Sequence, residues 1–301
     1  MTNQNAKVSI ITPMYQAEKF IQRYIDMVLA FDYSNIELVL INDGSTDKTN
    51  EIIEANKEKL QNAKIDLKYI ILKENKGQAF AVNEALKVIT GKYMLWCDVD
   101  DIYLPHCISR LVRALTENPD CKIAFGNCVV VKSDDLNTTV KKPNHKVKHK
   151  DILADYIFDR NVMNSPIRGF VETEALFKVL KNKSIYTSRA GQNFQLILPM
   201  VERYKWVYVE EVLSKYVLYK SSHSHSCNIH TRNKELIDLL VNIFEDMNIP
   251  GHKKIYYKFL IYLRFITKDL NNLLKVNINI KRKFVRIILF HHEIINTEWK
   301  S

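Results

Sequence analysis

Short apolar runs alternate with helical periodicities through the first 130 residues of the chain. Residues 8–13, Val-Ser-Ile-Ile-Thr-Pro, predict a buried strand, and 18–31 repeat apolar positions at Phe20, Ile21, Tyr24, Ile25, Val28 and Leu29, one face of a helix. Residues 36–41 predict the next strand, and 42–47 a turn in which Ser45 or Thr46 is placed to cap a helix running to Lys59. Residues 67–72, 78–89 and 93–97 predict strand, helix and strand. This alternation specifies an α/β chain, Rossmann-like, with a mostly parallel central sheet and helices on both faces. After a strand at 121–132 the pattern loosens, and polar residues 133–150 predict a loop or flap. Residues 167–180 suggest a strand passing into a helix, 191–204 a helix, and 206–209 with 212–219 strands returning to the sheet. A Ser/His loop at 221–226 precedes helices at 231–246 and in a basic tail.

Ligands of such sheets bind beyond the carboxyl ends of the strands. Here those ends read Thr12-Pro13-Met14-Tyr15, Asn42-Asp43-Gly44-Ser45, Lys73-Glu74-Asn75-Lys76-Gly77 and Asp98-Val99-Asp100-Asp101. Clustered carboxylates repel one another, so a strand end that carries Asp98, Asp100 and Asp101 asks for a cation or ligand. An isolated Asp-x-Asp reads more readily as a solvated turn with a helix cap near Leu104-Pro105. Convergence of four polar strand ends on one edge favours the site.

Hydrophobic residues make up 47% of the 301, enough for a large core. The start of the chain lacks the basic, apolar and small-residue sequence of a leader, and no apolar run reaches membrane-spanning length, so a cytoplasmic protein is expected. Five cysteines without a Cys-x-x-Cys pair argue against a zinc module or a disulfide framework. The net charge of +10 is concentrated at the C-terminal end, where residues 250–301 hold 11 Lys/Arg against 3 Asp/Glu interleaved with aromatics. Two readings stand for that tail: a basic amphipathic surface for an anionic membrane, making the protein peripheral on the cytoplasmic face, or a helical appendage packed on the main domain. Nucleic acid is disfavoured as a partner because the rest of the chain has almost no positive excess.

In order and spacing, residues 8–15, 38–47, 74–77 and 91–101 resemble the successive signatures of the family 2 glycosyltransferases with the GT-A fold. The resemblance is strong over the first 130 residues and implies a GT-A domain at 1–228, with a nucleotide-binding half (1–132) and an acceptor-side half (133–228), followed by a basic helical region at 229–301. It implies transfer of a hexose or N-acetylhexosamine from a nucleotide-diphosphate donor, UDP-linked, to a glycan or lipid-linked glycan acceptor. Tyr15 would lie against the base and Asp43 would bond uracil or ribose. Pro13, Lys76, Asn83 and Val99 would line the donor, Asp98 would contact ribose or sugar, and Asp100 would ligate a catalytic Mg²⁺ or Mn²⁺. Neutralising the departing diphosphate is what such an ion does.

Three features modify the match. Where the family often has Arg before the Asn of the third helix, this chain has Val82, with Lys76 as a substitute cation. Where inverting members carry an acidic pair, it reads Gln192-Asn193; amides can hold a sugar but cannot serve as general bases, which leaves Glu172 and Glu174 as candidates. His223 and His225, two apart, are placed to complete the metal or diphosphate site. The amide pair also leaves open an alternative, a nucleotide-sugar-binding protein without turnover.

Overall fold

Seven consecutive buried residues form β1 (Val8–Met14), which runs parallel between β2 (Ile36–Asn42) and β4 (Tyr93–Trp96). The coordinates are a computed structural model and describe residues 5–141, 152–158, 169–188, 191–219 and 229–274. Burial on both faces explains why these strands read as continuous apolar runs. β3 (Asp66–Ile71) pairs with the outer side of β2 and is only partly covered, as an edge strand should be.

Beyond β4 the sheet becomes mixed. β8 (Gly169–Glu172) is antiparallel to both β4 and β6 (Cys121–Lys132). β9 (Lys205–Leu218) runs parallel to β6, and β5 (Ile102–Tyr103) pairs antiparallel with β9. The order is β3-β2-β1-β4-β8-β6-β9-β5, with β7 (Asp135–Lys141) folded back on β6. The expected loop at 133–150 is therefore partly strand; its exposed, polar side chains hide it from any apolar pattern. The two strands expected in 206–219 are one, with irregular register against β6.

On one face, Val8, Ile10, Leu38, Leu40 and Leu95 pack with Ile21, Tyr24, Ile25 and Val28 of α1 (Ile21–Leu29), Ile53 and Leu60 of α2 (Thr49–Asn62), and Leu111 and Val112 of α4 (Cys107–Glu117). The alternate strand residues face α3 (Gln78–Val88), which packs on β1 and β2 with Ala81, Val82 and Ala85 buried. Burying each Leu or Ile contributes roughly 1.5–3 kcal/mol. Residue 37 interrupts the apolar run with a carboxylate. Glu37 is wholly buried and accepts hydrogen bonds from Ser9 Oγ (2.5 Å), Lys68 Nζ (2.6 Å), Thr90 N (2.8 Å) and Thr90 Oγ1 (2.6 Å). Burial opposes its ionisation, yet these donors outweigh burial and hold its pKa at about 2.

The first compact unit, Met1–Asn248, also contains α5 (Ile152–Ile157), α6 (Thr173–Val179), α7 (Gln192–Arg203) and α8 (Ile229–Asp246). The second, Ile249–Ser301, is described through α9 (Gly251–Leu274). Along α9, Ile255, Phe259, Tyr262 and Ile266 are exposed at spacings of four, three and four, which puts them on one face. Among the described residues no helix is long and apolar enough to cross a membrane.

Candidate functional site

Asp43, immediately after β2, is nearly buried and accepts two backbone N–H groups, Lys76 N on Oδ1 and Gly77 N on Oδ2, both at 2.8 Å. This fastens the turn after β2 to the turn after β3. The approach is so close that a Cβ on Gly44, whose φ is +71°, would lie 2.5 Å from the Glu74 carbonyl carbon. Only glycine fits there. Gln16 holds the same turn from β1: its N–H donates to Ser45 Oγ (2.9 Å), and its Oε1 accepts Thr46 N (3.0 Å) and Asp47 N (3.1 Å). Ser45 and Thr46 thus serve Gln16 rather than capping α2, which starts later, at Thr49, with Asp47 Oδ1 accepting Thr49 N (3.0 Å). Beside this braced turn Tyr15 is 45% exposed, an aromatic face open at the strand ends. Pro13 lies within buried β1 and pairs with Ile41. The Lys76 ammonium sits 5.0 Å from the Phe80 ring centroid and 3.8 Å from Glu74.

The carboxylates lie at the next strand end. Asp98 Oδ1 accepts from Trp96 Nε1 (3.0 Å) and from Gln78 Nε2 (3.2 Å), the first residue of α3. Burial and the neighbouring Asp100 charge push the Asp98 pKa to about 7 against the Trp96 hydrogen bond. Burial also raises Asp100, and burial with the Asp98 and Asp100 charges raises Asp101 strongly. Val99 between them packs on the core. Asp101, 2% exposed, turns away to accept Val217 N at 3.0 Å, while its buried Oδ2 makes no hydrogen bond. The pattern-based expectation of three carboxylates around one ion is therefore reduced to Asp98 and Asp100. Among the described residues no three His, Cys, Asp or Glu are grouped to hold a metal. Two oxygen-donor side chains, partly desolvated and adjacent at a strand end, still fit a hard divalent cation whose other ligands come from phosphate and water. His223 and His225 lie outside the described residues.

Arg23, which the sequence pattern did not single out, completes this edge. Its Nη2 donates to the Asp100 carbonyl (2.6 Å) and to Tyr219 Oη (3.1 Å), and its charge opposes the upward shifts of Asp100 and Asp101. A cation beside the apolar stripe of α1 was the only available signal.

Two candidate bases are displaced. Glu172 pairs in register with Tyr93, at the start of β4, so it stands at the opposite end of the strand from Asp98, roughly 16 Å away at about 3.3 Å per residue. Its carboxylate is spent on Lys122 at 2.8 Å. Glu174, two residues on in the first turn of α6, pairs with Lys178 at 2.6 Å. Antiparallel β8 carries both away from the cleft. Gln192 opens α7 and donates to Ser188 O (3.2 Å), with Asn193 beside it. Asn83 directs both ends of its amide to Ile185, with Nδ2 donating to Ile185 O and Oδ1 accepting Ile185 N, each at 2.8 Å. Val82 is buried and offers nothing to the cleft.

Residues 9–180 match the family model described as glycosyl transferase family 2. The chain belongs to that family. It is 36% identical over 121 residues to an uncharacterised glycosyltransferase of Rickettsia prowazekii, a match covering 40% of this chain and 36% of the relative. The chain thus matches little more than a third of that relative's length. Among solved structures, S. aureus TarS 1–349 in complex with UDP-GlcNAc superposes with a TM-score of 0.68 at 18% identity, covering 93% of this chain and 79% of the other. The mannosyltransferase PcManGT from Pyrobaculum calidifontis, in complex with GDP-Man and Mn²⁺, gives 0.59 at 16% identity over 95% and 80%. At these identities the two structures share the GT-A fold with this chain.

Proposed function

We propose that this glycosyltransferase moves a hexose or N-acetylhexosamine from a UDP-linked donor to an acceptor hydroxyl, in the assembly of a surface polysaccharide or other glycan. The observation that carries the proposal is the convergence of exposed Tyr15, braced Asp43 and the Asp98–Asp100 carboxylates on one edge of the sheet. Tyr15 supplies a stacking face for the base, and Asp43 keeps lone pairs for it while bracing the turn. Asp98, anchored by Trp96 and Gln78, accepts ribose or sugar hydroxyls. Asp100 would hold a Mg²⁺ or Mn²⁺ ion, with His223 and His225 as further ligands. When bound, the ion supplies neutralisation of the diphosphate's developing negative charge. That PcManGT has been solved in complex with both GDP-Man and Mn²⁺ supports that assignment.

Attack by the acceptor oxygen on the face opposite the diphosphate forms the new C1–O bond as the bond to the diphosphate breaks, inverting the anomeric centre, and the hydroxyl proton leaves to solvent or to the departing diphosphate; Gln192 and Asn193 hold the acceptor by hydrogen bonds. The basic second unit, with the exposed stripe of α9, supports a protein that works at an anionic membrane face on a lipid-linked glycan.

Calorimetry with UDP in the presence and absence of Mn²⁺ tests the donor site. UDP should bind at least tenfold more tightly with Mn²⁺, and Asp100→Ala should remove that gain. Metal-independent UDP binding, or none, would refute the metal-assisted reading. Release of sugar or its transfer from UDP-GlcNAc and UDP-glucose then separates an enzyme from a binding protein.

A further inference from the structure

Arg23 joins three elements. From α1 it reaches the loop after β4 and the end of β9, residues 77 and 196 positions away. The carbonyl oxygen of Asp100 receives two hydrogen bonds, from Arg23 Nη2 at 2.6 Å and from Tyr219 Oη at 3.1 Å. The Tyr219 ring meets Phe20, at the start of α1, edge-on at 5.1 Å between centroids, so one helix end grips both the ring and the hydroxyl of Tyr219. One residue on, Asp101 Oδ1 accepts Val217 N. The carboxylate loop is thus fastened to the last residues of β9 at two successive positions.

The choice of acceptor matters. Arg23 takes the main-chain oxygen of Asp100 and leaves both carboxylate oxygens unengaged by it. A guanidinium keeps its charge at all working pH values, so it offsets the mutual repulsion of Asp98, Asp100 and Asp101 without consuming an oxygen that a ligand needs. Its Nε is buried without a hydrogen bond, so the fork is not saturated by the protein.

We infer that Arg23 is a positioning residue of the donor site, holding the Asp100 peptide, with Tyr219, in the orientation that lets its carboxylate meet the cation of a nucleoside-diphosphate complex. The inference rests on the donor reading above and adds a residue to it. Preorganisation of this kind appears in cation-supported binding, because the cost of orienting Asp100 has been met in the free protein.

The test is calorimetric titration of UDP with and without Mn²⁺ on wild type, Arg23→Met, Arg23→Lys and Tyr219→Phe, each checked for a wild-type circular dichroism spectrum. Arg23→Met should weaken Mn²⁺-supported UDP binding tenfold or more and Tyr219→Phe at least threefold, while metal-free UDP affinity stays within twofold. Arg23→Lys keeps the charge but lacks the fork, and should recover less than half of the lost affinity on a logarithmic scale. Equal weakening with and without Mn²⁺ would reveal a merely structural role and overturn the assignment, as would unchanged Mn²⁺-supported affinity in folded Arg23→Met. Should Arg23→Met fail to fold, Tyr219→Phe decides by the same criterion. If wild type gains nothing from Mn²⁺, the metal-assisted donor reading fails and takes this inference with it; if wild type gains and the variants retain the gain, only the role of Arg23 falls.

Discussion

Asn83 and Ile185, 102 positions apart, exchange two hydrogen bonds of 2.8 Å, so that a side-chain amide stands in for a neighbouring strand. Gln195 does the same for the next residue, accepting Tyr186 N at 2.5 Å and donating to Tyr186 O at 3.0 Å. Two amides therefore clamp consecutive peptides between α6 and α7, one from α3 and one from α7 itself. Because α3 begins with Gln78 on Asp98, the clamp ties the segment between α6 and α7 to the helix that borders the carboxylates.

Asn83→Ala removes both bonds and strands a backbone donor and acceptor. It should cost about 2 kcal/mol or more in guanidinium unfolding. Asn83→Asp retains an acceptor for Ile185 N and should lose less. If Asn83 served the donor alone, alanine would weaken UDP binding with no change in the unfolding midpoint.

Glu172→Gln should leave kcat within about threefold of wild type, since Glu172 stands at the far end of β4 and is paired with Lys122. Loss of that partly buried pair should lower stability by about 1 kcal/mol. A drop in kcat of a hundredfold or more, with an intact fold, would restore Glu172 as the base. Steady-state kinetics on the first donor that turns over provide the check.

Glu37 predicts an acid limit to stability. Its folded pKa, about 2, lies below its ordinary value of 4.5, so its contribution is complete above the ordinary value and disappears as pH falls through that window. The contribution at neutral pH is of the order of 3 kcal/mol at most. Glu37→Gln should flatten the fall in unfolding free energy between roughly pH 4.5 and 2, measured by chemical denaturation across that range. An unchanged slope in the variant would show that other carboxylates carry the acid sensitivity.

The stripe of α9 makes a prediction about membranes. Replacing Ile255 and Phe259 by Ser should reduce co-sedimentation with phosphatidylglycerol vesicles at least fivefold, with little binding of either protein to phosphatidylcholine vesicles. Equal sedimentation of wild type and the double variant would remove α9 from any membrane role.

The parallel half of the sheet was legible because strands covered on both faces must be apolar throughout, and because ligands gather at their carboxyl ends. The placement of Asp43, Asp98 and Asp100 at strand ends followed from topology before any contact was known. What the pattern could not supply was anything set by distant pairing. β7 is polar and exposed, so no alternation marks it. The position of Glu172 depends on the antiparallel register of β8 with β4, which no local spacing encodes. Arg23 looked like one more solvated cation on α1 until Tyr219 and the Asp100 carbonyl were brought to it. Asn83 was recognised as special, but its partner lies a hundred positions away.

The hydrogen bond from Val217 to Asp101 spans 116 positions. During synthesis the first 130 residues can form their parallel strands while the rest of the chain is still unmade, yet the loop after β4 stays unfastened until β9 emerges and pairs beside β6. Long-range closure of this kind is slow, and domains assemble from the N-terminus as they leave the ribosome. A nascent chain would therefore acquire the Asp43 turn early and its carboxylate geometry late, so that a polypeptide truncated before Val217 could fold much of its sheet and still lack the bond that fastens the loop after β4.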